Sequence, residues 1–64
     1  MRKASRLFEI IQILRLARAP VTAAAMAAQL EVTVRSIYRD IVAQQAMRVP
    51  IEGGRGIGYI LRPG

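Results

Sequence analysis

The chain has 64 residues, room for one domain whose core is small for its surface. It contains no cysteine and no histidine, and its four carboxylates, Glu9, Glu31, Asp40 and Glu52, show no paired-acid or metal-ligand spacing, so disulfides, metal sites and enzyme chemistry have nothing to build on and no cofactor is expected. Ten basic residues, nine of them arginine, face those four acids for a net charge of +6, which points to a polyanionic partner. Arginine in particular suits bidentate contacts to phosphate or guanine. No apolar run has the length of a membrane span or the layout of a signal peptide, and the expected setting is the cytoplasm, without membrane contact.

The first predicted element is a helix over about residues 4–18. Leu7, Ile10, Ile11, Leu14 and Ala17 recur at helical spacing on one face, while Glu9, Gln12 and Arg15 lie away from it. Phe8 and Leu16 also fall off that face; either the hairpin further along covers them or they form an apolar patch for another domain or subunit. Arg2, Lys3 and Arg6 crowd the start of this helix, where positive charge opposes the macrodipole at a cost of roughly a few tenths of a kcal/mol each. Phosphate contact is one use for charge placed there, and a frayed basic tail is the other reading.

Ala19-Pro20 stops the helix, because a residue before proline avoids helical backbone angles. Val21 supplies a very short strand, and Thr22 is the N-cap of a second helix over about 23–30, with Met26, Ala27 and Leu30 on one face. Its alanines favour helix and let a neighbouring helix approach closely. Glu31-Val32 makes a tight turn with Val32 plugging the corner, and Thr33 caps a third helix over about 34–46. On that helix Val34, Ile37 and Ile41 cluster on one side, Arg35, Ser36, Arg39 and Ala43 on the other, and Tyr38 sits at the flank. A strand over about 49–52, a glycine-rich tip carrying Arg55 and a strand over about 59–61 form a hairpin, with Pro50 tolerated at a sheet edge. The glycines lack the Lys-Ser/Thr of a phosphate loop and no helix follows them.

Two short helices joined by a tight turn, preceded by a helix and followed by a hairpin, describe a mainly α fold with a small β-hairpin: a three-helix winged helix-turn-helix. The stretch Thr22 to Ile41, and within it Val32-Thr33-Val34-Arg35-Ser36-Ile37-Tyr38-Arg39-Asp40-Ile41, resembles the recognition-helix region of DeoR-type bacterial transcriptional regulators. It is most similar to the subgroup whose DNA-binding head precedes a WYL effector domain, and the hairpin from Val49 to Leu61 resembles the wing of that subgroup. Two positions depart from the pattern: Gln44 stands where an apolar residue is usual, and Arg48 where a helix-ending glycine is common.

The resemblance implies sequence-specific binding of double-stranded DNA by the N-terminal head of a transcriptional regulator, with the third helix in the major groove. Arg35, Ser36 and Arg39 are then the expected base readers. Thr22, Thr33, Tyr38 and Arg55, with Arg2, Lys3 and Arg6, are the expected phosphate or groove contacts. Asp40, repelled by phosphates, is expected to pair with an arginine. The resemblance also implies an effector domain absent from this chain, which would make it an excised head, and a homodimer in the full-length protein. Three other readings compete. One is a winged helix used for protein–protein contact, against which the outward Arg35 and Arg39 argue. Another is the repressor head of a bifunctional enzyme such as a biotin ligase. The last is a basic amphipathic helix on an anionic membrane, disfavoured by short, capped helices.

Overall fold

A computed structural model describes residues 3–62, with side chains from residue 6 onward. Three helices, α1 (Lys3–Leu16), α2 (Ala23–Leu30) and α3 (Val34–Ala46), precede a hairpin of β1 (Ile51–Gly54) and β2 (Gly58–Leu61). The strands pair antiparallel with Ile51 opposite Leu61 and Gly54 opposite Gly58.

The helix starts follow from side-chain capping. Thr22 and Thr33 both hold extended backbone angles, and their hydroxyls accept hydrogen bonds from the amides of Ala25 and Ser36, each at 3.1 Å, satisfying donors that the first helical turn leaves without partners. Helix α2 ends where Glu31 turns left-handed at φ 58°, and Val32 follows, half-buried against the core. This compact corner sets α3 across α2. Helix α1 ends at Leu16, earlier than its apolar pattern predicts, and the chain bends at Arg18 and Ala19 before Pro20, which brings Val21 beside Tyr59. There Val21 exchanges two backbone hydrogen bonds with Tyr59, at 2.8 and 3.0 Å, and so adds a third short strand to the hairpin.

The core is built from Ile10 and Leu14 of α1, Ala23, Met26 and Ala27 of α2, Ile37 and Ile41 of α3, and Ile51 and Tyr59 of the hairpin. Two apolar assignments need correction. Ala17 is exposed and lies beyond α1, with half-buried Ile13 packing against the core instead; Val34 sits at the accessible start of α3. Phe8 and Leu16 stay exposed, so the hairpin does not cover them.

The wing also differs from its predicted outline. Gly53 and Gly54 belong to β1, while Val49 and Pro50 precede it, leaving the three-residue tip Arg55-Gly56-Ile57. Gly53 is there for lack of room: at φ 130° an added Cβ would stand 2.0 Å from the Gly58 carbonyl oxygen. At the tip Gly56 takes φ 78° as the third residue of the turn that the Ile57 amide closes on the Gly54 carbonyl at 3.3 Å, the place where a type II turn favours glycine.

Candidate nucleic-acid interface

Helix α3 has two different faces. Ile37, Asp40, Ile41 and Gln44, at i, i+3, i+4 and i+7, form its buried stripe. Arg35, Arg39, Val42 and Ala46 lie exposed on the opposite side, with Tyr38 half-buried at their edge. Asp40 is the only acidic residue of α3 and it points inward, so the outer face carries positive charge alone.

The arginine that pairs with Asp40 is Arg6. The fully buried carboxylate accepts a short hydrogen bond from Arg6 Nε at one oxygen and a second, 3.3 Å, from a terminal guanidinium nitrogen at the other. This contact pushes the Arg6 guanidinium still further from deprotonation, chiefly through the hydrogen bond, against the opposing effect of burial. Arg6, expected at the DNA backbone, is therefore tied into the α1–α3 contact. Gln44 lies one turn further along the same seam. Its amide nitrogen donates to the Leu7 carbonyl at 3.3 Å, while its buried Oε1 meets no partner among the described residues.

Ser36 is half-buried at the first turn of α3. Thr33 Oγ1 accepts its amide and donates to its hydroxyl at 3.0 Å, which leaves the Ser36 hydroxyl proton free to point outward. Thr33 and Thr22 are thereby both committed to capping. At the flank, Tyr38 packs between α3 and the wing. Its ring lies edge-on to Tyr59, with centroids 6.4 Å apart at 64°, and the Arg55 guanidinium sits 4.4 Å above the Tyr38 ring centre. Burial raises the Tyr59 hydroxyl above the ordinary tyrosine range. Glu52, the wing's acid, is engaged by Arg62 Nε at 2.8 Å, so it does not oppose Arg55. Gln45 Nε2 donates to the Ile51 carbonyl at 2.9 Å and ties the end of α3 to the first wing strand.

The structure thus brings Arg35, Ser36, Arg39, Tyr38 and Arg55 to α3 and the adjoining wing, and sets Arg6 in the interior seam. Arg2 lies outside the described residues, as does the side chain of Lys3. Sequence reasoning missed two exposed apolar residues of this surface, Val42 at 63% and Ile57 on the wing tip at 73%. A wheel centred on the buried positions Ile37 and Ile41 would have found Val42.

A capped pair of helices crossing at a tight corner, a third helix bracing them and a hairpin whose tip stacks on the second of the pair make a winged helix-turn-helix, the architecture of a DNA-binding head. The family model described as an HTH domain matches residues 6–60. The chain belongs to that helix-turn-helix domain family, and it is a DNA-binding domain. No curated protein matches it. Among the described residues, no helix is long and apolar enough to cross a membrane.

Proposed function

We propose that this domain is the sequence-reading head of a transcriptional regulator of the DeoR type, joined in the full-length protein to a WYL effector domain, acting in the cytoplasm and binding its operator as a homodimer. Helix α3 enters the major groove of double-stranded DNA. Arg35 and Arg39, one turn apart on the exposed face, each grip the O6 and N7 of a guanine, and Ser36 donates its free hydroxyl proton to a neighbouring acceptor. Tyr38 and Arg55 take adjacent phosphates or the groove edge, and the capped start of α2 at Thr22 and of α3 at Thr33 offers backbone amides to phosphate. Arg2 and Lys3 add positive charge for the phosphate backbone, and Arg6 holds the recognition helix through Asp40.

The observation that carries this reading is the sorting of charge on α3, with its one carboxylate buried against Arg6 and both its arginines exposed. The test is fluorescence anisotropy with a random duplex and with a site selected from a random pool, across several salt concentrations. Binding should weaken steeply with salt, because counterion release dominates it. The R35A/R39A double variant should lose the preference for the selected site while keeping most of the random-duplex affinity. Equal losses on both duplexes would make the two arginines backbone contacts, and no binding at low salt would overturn the reading.

A further inference from the structure

We propose that Val42 is a specificity-determining residue that packs against the C5-methyl group of a thymine, so that the recognised site carries a thymine beside the guanines met by Arg35 and Arg39. This rests on the reading above, in which α3 lies in the major groove.

Val42 stands on the exposed face of α3 with Arg35 seven residues before it and Arg39 three before it. Together with Tyr38 these four positions have the i, i+3, i+4, i+7 spacing by which homeodomain recognition helices present side chains to base edges. The valine is 63% exposed, and the wing passes it by: Arg55 stacks on Tyr38, and Ile57 stays open to solvent. At that exposure the branched side chain adds little to the packing of the described residues. Valine is also a mediocre helix former at an exposed site, where alanine, lysine or glutamate would favour the helix more. Its two methyls are held in essentially one rotamer on a helix, so they form a fixed apolar surface that loses little freedom on contact. The exposed residue one turn on, Ala46, is small enough to let the helix backbone approach its target.

Within the major groove, thymine alone among the four bases presents a methyl group. At about 1.5 Å of rise per residue, Val42 lies roughly 4.5 Å along the axis from Arg39 and 10.5 Å from Arg35. One base-pair step is about 3.4 Å. The thymine therefore falls within about three base pairs of the guanines.

Deoxyuridine lacks only that methyl group and keeps every hydrogen-bonding group of thymine. Duplexes selected from a random pool by the 64-residue chain would be rebuilt with deoxyuridine at each thymine in turn and titrated against wild type, V42A and V34A. For wild type and V34A, deoxyuridine at one position, or two adjacent ones, within three base pairs of the guanines should weaken binding about fourfold, the worth of one buried methyl group. For V42A the same replacement should change nothing. Selected sites without a thymine in that window, wild-type binding indifferent to every replacement, or V42A retaining the loss would each overturn the proposal. If 7-deazaguanine weakens binding but deoxyuridine does not, the proposal alone falls. If no sequence is enriched from the pool, the reading on which it rests falls and takes this one with it.

Discussion

The ion pair between Arg6 and Asp40 predicts an asymmetric response to its two truncations. Asp40 is fully buried, whereas the Arg6 side chain keeps 21% of its surface in water. Replacing Arg6 with alanine strands a carboxylate that cannot reach solvent, and breaking a buried pair in this way costs about 3–5 kcal/mol. Replacing Asp40 with alanine leaves a guanidinium that can swing outward. The loss is then two hydrogen bonds and a small cavity, less the helix propensity that alanine adds, or about 1–2 kcal/mol. A domain of this size has roughly 3–10 kcal/mol of total stability, so R6A should lose about a third of it or more, while D40A keeps most of it. The chain has no tryptophan, so urea unfolding followed by far-ultraviolet circular dichroism is the suitable assay. A D40A loss equal to or larger than that of R6A, or an R6A loss below about 1 kcal/mol, would refute the argument that burial decides which partner matters.

Four further substitutions probe the local departures. Gln44→Met removes the buried Oε1 that has no partner and should raise stability by about 1 kcal/mol, read as a higher urea midpoint at unchanged slope. Arg48 follows α3 at φ 67°, so Arg48→Gly should relieve left-handed strain and raise the melting temperature by several degrees, the equivalent of about 0.5–1 kcal/mol. Gly53→Ala, with a Cβ 2.0 Å from the Gly58 oxygen, should disrupt the hairpin, whereas Gly56→Ala meets open space and should cost only about 1 kcal/mol of backbone strain; Tyr59 amide exchange separates the two.

What was legible in the sequence was local. Thr22 and Thr33 announce helix starts because a capping hydroxyl needs only its own following turn. The mainly helical winged fold was legible for the same reason, from helical spacing followed by a glycine-rich hairpin. Part of what was not legible depends on partners remote in sequence. An arginine partner for Asp40 was expected from the sequence, but which arginine was not legible, because Arg6, like the Leu7 carbonyl that meets Gln44, arrives from α1, 34 and 37 residues earlier respectively. Val34 reads as core, but the capping geometry at Thr33 leaves it partly accessible where α3 begins. The tip moved because cross-strand crowding at Gly53, invisible in the chain order of glycines, draws two of them into β1. The departure at Arg48 was visible, and the left-handed angle was kept there without the glycine that usually adopts it.

A buried ion pair is a costly way to join two helices, and well-packed apolar side chains of similar volume commonly match or exceed its stability. Its geometry offers something apolar packing lacks. Apolar contact among core residues such as Ile10, Leu14, Ile37 and Ile41 is non-directional, but two directed hydrogen bonds from one guanidinium fix the rotation of α3 about its own axis. A rotation of 20° at a side-chain radius of about 5–6 Å shifts the outer face by roughly 2 Å. That is enough to break a bidentate guanine contact that tolerates only a few tenths of an ångström. Asp40 directly follows Arg39, so the seam and the reading face share a backbone. The double variant R6M/D40L should therefore fold with stability within about 1 kcal/mol of wild type. It should keep its affinity for random duplex and lose much of its preference for the selected site. Retained preference would show that the apolar core alone orients α3, and that the pair serves the fold without serving recognition.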